Sequence, residues 1–190
     1  MTHLEQDSIA AEVDNWLSSI VIDLNLCPFA QREYRLKKIR FKVAQANNEQ
    51  ELVRDLVVEL SRLTKRDDIE TTLLILPHVL SDFLDFNDFL GFAEDLLDEM
   101  QLDGTYQLAS FHPQYQFAGT NKGDAENYTN RAPYPILHIL RESSLEAAIA
   151  QHPNTAQIPD DNIRRMQSLG AEHMQNLLNA CKINPKLNDV

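Results

Sequence analysis

The sequence predicts a single α/β domain in which helices pack against a mixed sheet of about four strands. Three observations carry this. Segments of helical apolar period alternate with short apolar runs in the order helix, strand, helix, strand, helix, strand, long loop, strand, helix, helix. Thr71 to Leu76 shows no polar alternation, the mark of a strand covered on both faces. A hydrophobic content of 43% in 190 residues is enough for one sizeable core. Strand-helix-strand units imply right-handed crossovers. A ferredoxin-like sandwich is the nearest analogue, modified by an additional helix before the third strand and a loop before the fourth. The domain spans residues 1–190, with an ordered core over 7–182 and frayed ends.

The first helix is expected from Ser8 to Leu24, where Ile9, Val13, Trp16, Leu17, Ile20 and Leu24 recur at helical spacing and Asp7 or Ser8 can cap it. Pro28 either ends it or opens a short helix through Arg32 with Cys27 as cap. Lys37 to Ala44 alternates Ile39, Phe41 and Val43 against Lys38, Arg40 and Lys42, which predicts an edge strand with a solvated basic face. Asn48 followed by Glu51 forms a capping-box pattern for a helix carrying Leu52, Leu56, Leu60 and Leu63 to near Lys65. The next helix runs from Asp85 or Asn87 to Met100 and is stopped by Gly104. Tyr106 to Phe111 and Ile136 to Arg141 are strands. Ser143 with Glu146 caps a short helix through Ala150, ended by His152-Pro153. One last helix opens after Pro159 and carries Ile163, Met166, Leu169, His173, Leu177 and Cys181 along one side. The tail from 184 to 190 is frayed.

Charge and composition restrict the partners. With 29 acidic and 17 basic residues the formal charge is −12, which repels nucleic acid. The basic residues Arg32, Arg35, Lys37, Lys38, Arg40 and Lys42 cluster, as do the acidic Asp82, Asp85, Asp88, Glu94, Asp95, Asp98 and Glu99, so the molecule is electrically lopsided. The start has no cationic leader and no apolar run is long enough to span a bilayer. Two distant cysteines, Cys27 and Cys181, fit a reducing cytoplasm and no disulfide framework. No Gly-rich phosphate loop and no local metal-ligand spacing occurs, so neither metal nor cofactor is expected.

The segments Cys27-Pro28-Phe29-Ala30, Phe111-His112-Pro113-Gln114-Tyr115-Gln116-Phe117, Tyr128-Thr129-Asn130-Arg131-Ala132-Pro133-Tyr134-Pro135 and His138-Ile139-Leu140-Arg141-Glu142 resemble a family of uncharacterised bacterial proteins catalogued as domain of unknown function 1415. The resemblance extends over nearly the whole chain. It implies that these segments belong together and brings no reaction, cofactor or catalytic residue with it.

The loop from His112 to Pro135 concentrates polar and aromatic groups that neither helix nor strand requires, and its length marks it as functional or packed. Arg131 offers a planar fork of donors for a carboxylate or phosphate, or else ties the loop to backbone carbonyls or to Asp124 or Glu126. Thr129, Asn130 and Tyr115 stand beside it as ligand-binding candidates. His112, at a strand end, reads as a general base or as a histidine bonding loop backbone; His138 reads as a core histidine or a ligand contact. Cys27 is a nucleophile if a helix start or Arg32 and Arg35 lower its pKa, and a small hydrophobe otherwise. These residues predict a pocket for a small anionic metabolite between the loop 112–135 and the Cys27 segment, leaving open whether it is bound or transformed. The alternative is a protein-interaction module using the basic strand 37–42 or the acidic helix 85–100. The two differ in whether Cys27, His112, Asn130, Arg131 and His138 line one pocket.

Overall fold

A computed structural model describes residues 1–151 and 154–183. The expected helix end at His152-Pro153 and the tail 184–190 lie outside the described residues. Four strands, β1 (Ile39–Val43), β2 (Thr71–Ile75), β3 (Tyr106–Phe111) and β4 (Ile136–Arg141), form one mixed sheet in the order β1-β2-β4-β3. β1 and β2 are parallel, and β4 runs antiparallel to both β2 and β3. Every residue of β2 is buried, as its unbroken apolar run requires.

Helices cover both faces. Val43, Leu73, Ile75 and Ile136 pack under α1 (His3–Trp16), the π-helical turn Leu17–Ile22, α6 (Ile158–Leu169) and α7 (Ala171–Ala180). Leu74, Leu76, Leu137 and Ile139 pack under α3 (Glu49–Lys65) and α4 (Phe83–Glu99). The result is a three-layer α/β domain, where the ferredoxin-like analogue has helices on one face only. No helix among the described residues is long and apolar enough to cross a membrane.

Element starts depart from expectation where polar residues set them. α1 begins at His3, because Thr2 and Glu5 form a capping box: Thr2 N–H donates to Glu5 Oε2 at 2.7 Å and Glu5 N–H to Thr2 Oγ1 at 3.3 Å. The apolar period starts later only because the first turns are solvated. After Cys27 the chain makes a turn, the Cys27 carbonyl accepting Ala30 N–H at 3.2 Å, and the short helix α2 is Ala30–Arg35, not Pro28–Arg32. α4 starts at Phe83, since Asp82 Oδ1 accepts the N–H groups of Leu84 at 2.8 Å and Asp85 at 3.3 Å. It ends before Gln101, which takes φ 57°, so Gly104 is not its stop. α5 (Glu142–Gln151) follows β4 without a break.

The Asn48 start of α3 is as expected, with Asn48 Oδ1 accepting Glu51 N–H at 3.0 Å. β1 is indeed an edge strand, but its basic face is partly covered: Arg40 donates to the buried Glu59 of α3 through Nε at 2.7 Å and an amino nitrogen at 3.2 Å. Arg141 points away from the His138 face and donates to the carbonyls of Leu63, Arg66 and Ile69 at the end of α3. The expected single last helix is two. Gly170, at φ 80°, breaks it and rotates the buried side to Met166, Met174, Leu178 and Cys181, leaving Ile163 exposed.

Candidate functional site

The long loop lies at the edge of the sheet where β1 and β2 end and their helices depart, because Val43, Ile75, Ile136 and Phe111 are neighbours across the four strands. It is packed, as its aromatics require, around two polar side chains. Buried Asn127 accepts Phe117 N–H and Thr120 Oγ1–H at 2.9 Å each and donates to the Asn121 carbonyl at 2.7 Å. Buried Arg131 donates through Nε to the Tyr115 carbonyl at 3.1 Å and through an amino nitrogen to the Lys122 carbonyl at 2.7 Å, and stacks 4.5 Å from the Tyr128 ring centre. Its own carbonyl accepts Trp16 Nε1–H at 2.9 Å.

Arg131 makes no ion pair among the described residues, and Asp124 instead accepts the Asn121 N–H at 2.7 Å. Of the alternatives in the sequence, the geometry takes the one that ties the loop to backbone carbonyls. Asn130 is spent in the same way: its side chain donates to the Ser110 carbonyl and its own carbonyl accepts His112 N–H, both at 3.1 Å. Thr129 Oγ1 is buried with no hydrogen-bond partner among the described residues.

Both histidines are held neutral by their surroundings. His112 is fully buried; its Nδ1 accepts Gln114 N–H at 3.0 Å, so Nε2 carries the proton and donates to the Leu80 carbonyl at 3.2 Å. Burial among Phe83 and Phe86 of α4 lowers its pKa. Tyr115 stacks on Phe83 and Phe117 in the same aromatic group. His138 lies on the opposite face of the sheet, beside Phe111. Thr71 Oγ1 donates to the Ile139 carbonyl and therefore accepts His138 Nε2–H, each at 2.6 Å. Enclosure lowers the pKa of this imidazole to about 4.

Cys27 is partly buried, and burial raises its thiol pKa although the backbone N–H groups of Phe29 and Ala30 pull the other way. Arg32 pairs with Glu33. The lowered thiol pKa that nucleophilic chemistry needs is therefore not supplied. Cys27 should still be alkylated before the buried Cys181, but both more slowly than a free peptide thiol near neutral pH. Mass spectrometry of a timed iodoacetamide reaction checks this, and a Cys27 rate above the peptide rate would contradict it.

Two other groups at the loop escaped sequence reasoning. Asn127 looks like any loop asparagine. Glu12, between Ile9, Val13 and Trp16 on the apolar side of α1, did carry a signal, a carboxylate on a core face. It accepts Tyr134 O–H at 2.7 Å and Ile183 N–H at 3.1 Å, joining α1, the loop and the segment that follows α7.

Two of the surface grooves among the described residues lie beside α3 and α6, and none of the predicted site residues lines either one. The first, of about 560 Å3, lies between the start of α3 and the segment Val79–Asp82, with Glu49, Asp82 and Asp85 making it acidic. The second, of about 520 Å3, lies between the turn Leu24–Pro28 and α6, and presents Asn25, Asp161, Asn162, Arg164, Arg165 and Ser168. Nothing in the sequence set these arginines apart from other helix-surface arginines. Among the described residues no three of His, Cys, Asp or Glu are placed to hold a metal ion. A family model described as "Protein of unknown function (DUF1415)" matches residues 8–176. No curated protein and no solved structure matches the chain.

Proposed function

We propose that this chain, which belongs to the DUF1415 family, binds a small carboxylated or phosphorylated molecule in the groove between the Leu24–Pro28 turn and α6. The observation that carries this reading is Arg165. It lines the groove beside Arg164, and among the described residues it has neither an ion pair nor a hydrogen bond. Arg164 pairs with Asp161, so the lining holds two guanidinium groups against one carboxylate in a chain of net charge −12. An anion there meets a local cation and a planar donor fork.

The wall behind the arginines is rigid. Buried Asn162 donates to the Leu26 carbonyl at 2.9 Å and so fastens α6 to the turn, while Asn25 takes φ 51° to shape it. The Ala125–Thr129 turn of the long loop packs on α6 from the other side. The turn around Cys27 lines this groove through Leu24, Asn25 and Pro28, whereas Cys27 itself and the loop 112–135 do not line it, and the loop supports it from behind. The volume of about 520 Å3 suits a metabolite. The lining has no histidine or cysteine, which supports binding over chemistry.

A thermal-shift screen of carboxylated and phosphorylated metabolites at fixed ionic strength tests this. A ligand at a hundred times its Kd stabilises by about 2.7 kcal/mol, a rise of several degrees. Arg165→Gln, on an exposed helix surface, should leave the ligand-free melting point within a degree or so and weaken the hit about tenfold or more. A screen without hits, or a hit indifferent to Arg165→Gln, overturns the reading.

A further inference from the structure

The strongest remaining feature is electrostatic. No lysine or arginine occurs between Arg66 and Lys122, a stretch that includes β2, α4 and β3. Within it α4 carries Asp85, Asp88, Glu94, Asp95, Asp98 and Glu99, none of which forms an ion pair among the described residues. Asp98 and Glu99 even sit at the helix end where the backbone carbonyls already gather negative charge, and no basic residue lies in that turn. Stability alone does not account for such placement, because each carboxylate there opposes the helix.

A solvated acidic face would need no apolar side chains, yet this one has two. Leu84 is 71% exposed and Phe92 50% exposed. Leu84, Asp88 and Phe92 follow one another at four-residue steps and so form one ridge along α4, continued by Asp95 and Glu99. The Phe92 ring rests on the buried Phe89 ring, 5.8 Å between centres, which holds it in place before anything binds. Beside it Gly91 has no atom within 4 Å of where a Cβ would stand, so a partner's backbone can approach closely. At the start of the ridge Asp82 and Asp85 also line the acidic groove with Glu49 and Leu80, which gives the surface a concave end.

We propose that the ridge of Leu84, Asp88, Phe92 and Asp95, with the adjoining groove, docks a lysine- or arginine-rich segment of another protein that carries apolar side chains among its charges. Charge selects this occupant. A second copy of the chain offers a suitable turn, with Leu36 52% exposed among Arg35, Lys37 and Lys38, but it brings the same net charge of −12. Its local attraction is opposed by the field of the whole molecule, whereas a separate basic segment is drawn at long and short range alike. Nucleic acids and anionic bilayers are repelled. The ridge supplies apolar anchors and the carboxylates supply steering and register.

The test uses the full chain and a fluorescent synthetic peptide of about 14 residues, Lys- and Arg-rich, with leucines at four-residue spacing. A second peptide has the leucines replaced by serine at equal charge. Anisotropy titrations at about 50 and about 300 mM salt should show the leucine peptide binding about tenfold tighter or more than the serine peptide, with both weakening as salt rises. Phe92→Ser should bring the leucine peptide down to the serine level, and Leu84→Ser serves the same purpose if the Phe92 variant does not fold. Asp88→Asn with Asp95→Asn should weaken both peptides and flatten their salt dependence. Equal binding of the two peptides, indifference to Phe92→Ser and Leu84→Ser, or no binding overturns the proposal. So does sedimentation in which the protein alone self-associates while the Asp88→Lys and Lys38→Glu variants both run as monomers, since the face then belongs to a second copy. Neither result touches the groove at Arg165.

Discussion

Arg131→Met is expected to lower the thermal midpoint by roughly 10 °C while leaving anion binding at the Arg165 groove unchanged. Two carbonyls, Tyr115 and Lys122, accept from the guanidinium, and among the described residues neither accepts from another donor. A hydrogen bond to a charged group contributes about 1.5–3 kcal/mol, and an acceptor left dry costs about 1–3 kcal/mol. Methionine fills the volume beside the Tyr128 ring but donates nothing, so a net loss of about 3–5 kcal/mol follows. In a chain of this size each kcal/mol shifts the midpoint by about 2–4 °C. Arg131→Lys, with one compact ammonium in place of the fork, satisfies one carbonyl and should fall between. Calorimetric melts of the three proteins with and without the best anion decide the matter. If the Lys variant melts like the parent but loses the ligand, Arg131 holds the ligand and not the loop.

This result would also show why the site was harder to read from the sequence than the fold. Apolar spacing identifies β2, β4 and the core side of α3 because burial leaves a periodic trace, and Asn48 announces its helix by local chemistry. The boundaries missed, at Thr2, Asp82 and Gly170, are those where one polar or glycine residue overrides the apolar pattern. For the loop the difficulty is different. A packed loop has no ladder for its backbone groups, so side chains must satisfy them, and the residue types that do so are those that bind ligands. Arg131, Asn130 and His112 attracted notice for their chemistry, and all three bond to backbone. Polarity in a loop identifies residues with work to do and does not say whether the acceptor is the chain itself or a ligand. The role proposed for Arg165 presents the converse, for a solvent-facing arginine on a helix has no periodic or spacing signature at all.

The second large effect is a loss of stability in mild acid, carried by His138. In the unfolded chain its imidazole titrates near the ordinary value of 6.5, and in the fold near about 4. Above pH 6.5 both states are neutral and the native state keeps its full margin. As the pH falls below 6.5 the unfolded state takes up a proton that the native state refuses, so stability drops by up to about 1.4 kcal/mol per pH unit until about pH 4. The whole excursion is at most about 3 kcal/mol, an upper bound because His138 as a residue is only half-buried. His112, also lowered by burial, adds a slope of the same sign. The carboxylates held low, among them Asp68 at about 2, lose their contribution only at more acid pH, so the window from 6.5 down to about 4.5 belongs to the histidines. His138→Gln keeps a donor for Thr71 Oγ1 and cannot titrate. Its urea midpoint should lie somewhat below the parent's at pH 7.5 and meet or exceed it near about pH 4.5. Parallel profiles for the two proteins would mean that His138 takes up its proton in the folded state as readily as in the unfolded chain, so that burial does not hold the ring neutral.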